Sequence, residues 1–126
     1  MPSDFLVVDD SSVMRKIITK TIREAGYNSE KIHEAGDGKE ALKVLKKQTV
    51  DLILCDWNMP TMDGMTFVTT LREDKSNSNS EVPIVMVTTE GSMGKIEEAL
   101  DKGVNDYITK PFDADKLRIK LKKIFK

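Results

Sequence analysis

An α/β fold, a parallel five-stranded sheet doubly wound by five helices, is what the order of residues predicts. Three observations lead there. Short apolar runs bounded by turn formers recur along the chain, and the run Leu52 to Cys55 is apolar throughout, as a strand buried on both faces requires. Segments with apolar residues at helical spacing separate these runs. The connections are short, so right-handed crossovers bring successive strands into parallel alignment, with helices on both faces.

The elements follow in order. Phe5 to Val8 is the first strand and ends on Asp9 and Asp10; Ser11 and Ser12 can cap a helix with apolar positions Met14, Ile17, Ile18, Thr21, Ile22 and Ala25, stopped by Gly26. Lys31 to Ala35 is mixed in polarity, as an edge strand would be, and Asp37-Gly38 leads into a helix carrying Ala41, Leu42 and Leu45. The third strand ends on Asp56. Asp63-Gly64 opens a helix with Phe67, Val68 and Leu71 on one side, and the polar stretch Lys75 to Ser80 is expected to be a surface loop. Pro83 introduces a fourth strand, Ile84 to Val87, ending on Thr88 and Thr89. A helix with Met93, Ile96, Ala99 and Leu100 inward stops at Gly103. A fifth strand, Asp106 to Thr109, runs into Lys110-Pro111, and a last helix, Ala114 to Phe125, is expected to bury Leu117, Leu121 and Ile124.

With 126 residues the chain suits one domain, 1–126, of which about two-thirds of the unfolded surface would be buried. A formal net charge of -1 argues against a nucleic-acid or membrane partner. Cys55, alone and inside an apolar run, reads as a core residue; with no signal peptide or span in view, a cytoplasmic location is expected.

Asp9, Asp10, Asp56, Thr88 and Lys110 all fall at C-terminal strand ends, so the fold should gather them on one edge, where open α/β sheets bind ligands. Clustered carboxylates repel one another and call for a cation. Oxygen ligands without imidazole or a second thiol favour one Mg2+ ion, which keeps several waters and is completed by phosphate oxygen. Lys110 and Thr88 face the place left for a phosphoryl group. The solitary Asp56 is the expected nucleophile, because a carboxylate can attack phosphorus to form an acyl phosphate.

The motifs FLVVDDSS, CDWNMPTMDG, MVTTEG and DYITKPF resemble those of the response-regulator receiver domain, most closely its single-domain chemotaxis branch. The resemblance implies a flavodoxin-like sheet of order 2-1-3-4-5. It implies that Asp56 accepts phosphate from a histidine kinase in a two-component system and that Mg2+ is held by Asp10, Asp56 and the backbone carbonyl of Asn58, with Asp9 acting through water. It further implies that Lys110 and Thr88 bind the phosphoryl oxygens, that Lys110-Pro111 is cis, and that Thr88 and Tyr107 form a switch. Asn58 and Glu90 match positions tuning self-dephosphorylation. The switched face, made by the fourth helix, fifth strand and fifth helix, would include Lys95, Ile96, Asp101, Tyr107, Lys116 and Ile119. Such a protein catalyses only its own phosphorylation and dephosphorylation, acts as a monomer and signals by protein contact. The implied target is a flagellar motor switch protein, and a phosphatase is a further partner. A phosphorelay intermediate or kinase regulator outside chemotaxis is the alternative within the family.

Thr89 is bulkier than the residue common after the switch threonine, and the Lys75 to Ser80 loop is slightly long. A flavin electron carrier of the same topology is the rival from another class; Asp9 and Asp10 at its phosphate turn oppose it. His33 is expected on the second strand without a catalytic role, and Trp57 at the pocket rim.

Overall fold

The computed structural model describes residues 4–27, 31–57, 59, 61–89 and 93–125. Strands β1 (Asp4–Val8), β2 (Lys31–Ala35), β3 (Leu52–Asp56), β4 (Ile84–Thr88) and β5 (Asp106–Thr109) alternate with helices α1 (Ser12–Glu24), α2 (Gly38–Lys47), α3 (Gly64–Glu73), α4 (Met93–Asp101) and α5 (Ala114–Ile124). All strand pairs are parallel and the sheet order is β2-β1-β3-β4-β5, as expected.

Alternation along each strand sorts the core into two layers. Leu6, Val8, Ile53, Cys55, Ile84 and Met86 pack against α2, α3 and α4 through residues such as Ala41, Leu45, Phe67, Leu71 and Ala99. Phe5, Val7, Leu52, Leu54, Val85 and Val87 pack against α1 and α5 through Ile18, Ile22, Leu117 and Leu121. Full burial of each such aliphatic side chain contributes about 1.5–3 kcal/mol, so the central strands anchor the molecule. Among the described residues, side-chain caps start four helices: Ser11, Asp37, Asp63 and Asp113 accept from the backbone N–H of Met14, Glu40, Thr66 and Lys116. Each cap is worth about 1 kcal/mol.

Several expected positions differ. Ile17 and Leu100 are 51% and 46% exposed, because α1 and α4 turn Ile18 and Ala99 to the sheet and the adjacent residue then lies about 100° around the helix. Ile96 is buried with Ala99, as its inward position on the helix predicts, although the resemblance also placed it on the switched face; Ile124 is only half-buried. Trp57 is buried in the α2–α4 layer instead of standing at a rim.

The polar loop is the largest departure. Asn79 is fully buried: its Nδ2 donates to the carbonyls of Leu45 and Gln48 at 2.9 and 2.8 Å, and its Oδ1 accepts from Val50 N–H at 3.0 Å. It therefore caps the C-terminal end of α2, whose last carbonyls have no partner inside the helix, and ties that end to the entry of β3. His33 is half-buried on β2, and its Nε2 has no hydrogen-bond partner.

Candidate functional site

Register brings the acidic ends together. Val8 lies opposite Cys55 and Asp56 opposite Val87, so Asp9, Asp56 and Thr88 finish three adjacent strands at one edge. Carboxylate oxygens of Asp9, Asp10 and Asp56 lie within 4.8 Å of one another. Asp9 and Asp56 are buried and Asp10 is exposed, so the cluster opens to solvent on one side.

Lys110 closes the cluster from β5. Its backbone N–H donates to Thr88 O at 2.8 Å, and its ammonium reaches Asp9 Oδ2 at 3.1 Å and Asp56 Oδ1 at 3.4 Å. Asp9 Oδ1 is occupied by the N–H of Ser11 at 2.9 Å. Burial, then the charge of Asp9, hold the Asp56 carboxyl above its ordinary range, against the pull of Lys110. Burial would lower the lysine, but its hydrogen bond to Asp9 and the charges of Asp56 and Asp9 outweigh this, and its pKa is raised. Thr88 is buried at the end of β4, and the Lys110-Pro111 peptide is cis. The donor set is hard oxygen, free of sulfur and imidazole at the cluster, and open at Asp10, which fits a partly hydrated Mg2+ ion.

Other expected residues fall elsewhere. Tyr107 is half-buried on β5 with the Lys120 ammonium 4.6 Å from its ring centroid. Thr89 is exposed. Asn58 and Glu90 lie outside the described residues.

The geometry adds two residues that spacing did not single out. Arg15 donates through one Nη to the backbone carbonyl of Asp9 while its Nε pairs with Glu34 at 2.8 Å, placing a second cation beside the acidic turn. Gly64 opens α3 so close to β3 that a Cβ there would lie 2.6 Å from the Asp56 carbonyl oxygen and 2.6 Å from Met86 Cε. Its N–H donates to Trp57 O at 3.0 Å. Asp-Gly was legible as a turn signal; the close approach was not. The thiol of Cys55 is fully buried and donates to Asp56 O at 3.3 Å; burial, then the neighbouring carboxylates, push its pKa well up, as suits a core residue.

Comparison with known proteins gives the same picture. Residues 5–122 match the model of the response regulator receiver domain. The chain is similar to the chemotaxis protein CheY-3 of Vibrio cholerae, 43% identical over 120 residues that span 95% of this chain and 89% of that protein. It is also similar to a chemotaxis protein CheY homolog of Campylobacter jejuni, 43% identical over 94% of this chain and 89% of that one. Among solved structures, the chemotaxis response regulator CheY4 of Vibrio cholerae superposes with a TM-score of 0.84 at 35% identity, covering 98% of this chain and 99% of that one.

Proposed function

The chain belongs to the response regulator receiver domain family, and from that premise we propose that it is a phosphorylation-dependent switch in which Asp56 accepts a phosphoryl group from a histidine kinase. The observation that carries the reading is the joint approach of Asp9, Asp56 and Lys110 at one sheet edge, with the lysine ammonium within 3.4 Å of both carboxylates. In the transfer, an Asp56 oxygen forms a bond to phosphorus as the bond from phosphorus to the donor imidazole nitrogen breaks, and the imidazole leaves with the electron pair. Asp56 has only to be positioned and its surroundings neutralised. Lys110 balances the negative charge that accumulates, and the Thr88 hydroxyl supplies a donor on the neighbouring strand. Asp10, Asp56 and the Asn58 carbonyl, with Asp9 through water, would hold one Mg2+ ion, which supplies charge neutralisation to the phosphoryl oxygens.

The domain would span 1–126 and work in the cytoplasm; no described helix is long and apolar enough to cross a membrane. Output would pass through Thr88 and Tyr107 to the face of α4, β5 and α5, as a population shift toward the arrangement that binds phosphate better. The names of the curated relatives favour a role in chemotaxis; in that role a flagellar motor switch protein would be the target and a phosphatase would end the signal. A phosphorelay role outside motility is the second reading within the family.

The test is incubation with acetyl phosphate and Mg2+. Acid-stable, base-labile phosphate is expected on the protein and not on Asp56→Asn; equal labelling of that variant would remove Asp56 as the acceptor. Saturable quenching of Trp57, next in sequence to Asp56, reports the metal.

A further inference from the structure

Tyr107 and Lys120 reach each other across an edge of the sheet. The tyrosine packs against the α2–α4 layer, yet Lys120 belongs to α5 on the opposite layer. Contact is possible because β5 is an edge strand, which a long side chain can wrap. The Lys120 ammonium lies 4.6 Å from the centre of the Tyr107 ring and 3.1 Å from Asp106 Oδ1. That same oxygen accepts the backbone N–H of Tyr107 at 2.8 Å. One carboxylate oxygen therefore fixes both the strand at Tyr107 and the cation over its ring. With Lys120 and Asp106 side chains only 25% and 20% exposed, the arrangement is partly withdrawn from solvent, where attraction between a cation and an aromatic face is felt more strongly.

We propose that Lys120 is a positioning residue that holds the Tyr107 ring in the place it occupies here, and that switching has to break this contact. Coupling to switching rests on the proposed role of Tyr107; the resting clamp does not. A contact of this kind biases two ring positions by about two- to fivefold. Lys120→Met removes the cation and keeps the chain length. Lys120→Arg keeps a cation that stacks on aromatic rings, and Asp106→Asn keeps an acceptor for Tyr107 N–H while loosening the lysine.

The test uses the full chain labelled with 3-fluorotyrosine. Its tyrosines are Tyr27 and Tyr107, and Tyr27, packed edge-on against Phe5 at 6.0 Å, is the internal reference. Without phosphodonor, the Tyr107 fluorine resonance should move in Lys120→Met, return toward wild type in Lys120→Arg, and lie between in Asp106→Asn, with Tyr27 unmoved. An unchanged Tyr107 resonance in Lys120→Met and in Asp106→Asn overturns the clamp. With Mg2+ present, the acetyl phosphate concentration for half-maximal response of Tyr107 should fall about two- to fivefold in Lys120→Met; an unchanged or higher concentration overturns the coupling. If wild type takes no phosphate, the proposed function fails, and the phosphate-free comparison still judges the clamp.

Discussion

Replacing Lys110 by methionine keeps the reach of the side chain and leaves Asp9 and Asp56 without the lysine cation between them. The ammonium lies 3.1 Å from one carboxylate and 3.4 Å from the other, and at an effective dielectric of 20 each contact attracts by about 5 kcal/mol before desolvation is subtracted. Two carboxylates 4.8 Å apart, the outer limit within the cluster, repel by about 3.5 kcal/mol on the same scale. Desolvation of the lysine offsets much of the attraction, so the net loss on removing one partner of such a buried set is about 3–5 kcal/mol. Urea unfolding at pH 7 in chelator should show that loss, and saturating Mg2+ should stabilise the variant more than wild type. The pH dependence has a defined sign. Asp56 is raised above its ordinary 3.8, so its ionisation destabilises the fold as pH climbs from 3.8 through the folded value, and the variant should widen that window. Lys110 is raised above its ordinary 10.5, so its contribution is complete below that value and disappears as pH rises through the folded one; the variant should lack this alkaline loss. A variant within about 0.5 kcal/mol of wild type at pH 7 in chelator would refute the view that Lys110 holds the acidic edge together.

Asn79→Ala should cost about 3 kcal/mol, since it strands a buried N–H and two helix-end carbonyls. Lys75→Ala in the same loop should stay within about 0.5 kcal/mol, and equal urea midpoints for the two variants would deny the cap. Gly64→Ala forces a methyl against the Asp56 carbonyl, which is backbone and cannot turn aside. A loss of about 2–3 kcal/mol is expected, with acetyl phosphate labelling slowed even where circular dichroism shows complete folding. Wild-type labelling by the folded variant would mean that the close approach does not position Asp56.

The elements were legible because two periods, two and 3.6, alternate along the chain, and the convergence of Asp9, Asp56 and Lys110 follows once each is placed at a strand end. Helix faces were less legible at their margins. Ile17 and Leu100 adjoin residues that face the core, and periodicity alone cannot say on which side of an apolar stripe packing ends. Asn79 was hidden for a different reason: it sits among serines in a stretch that composition assigns to solvent, and its partners lie 29 to 34 positions earlier. Trp57 continues the row of Ile53 and Cys55 into the α2–α4 layer, so its side of the sheet was legible from strand alternation, whereas the depth of its burial was set by the helices packed there.

The alternation of the strands has a consequence for how news of phosphorylation would travel. Asp56 continues the row of Leu52 and Leu54, which belongs to the α1–α5 side, whereas Thr88 continues the row of Ile84 and Met86 on the side where Tyr107 packs. The proposed acceptor and the proposed relay thus stand on opposite sides of one plane, a single strand spacing of about 4.8 Å apart. A signal between them would pass over the rim where the strands stop, from the proposed acceptor to the side on which Tyr107 packs.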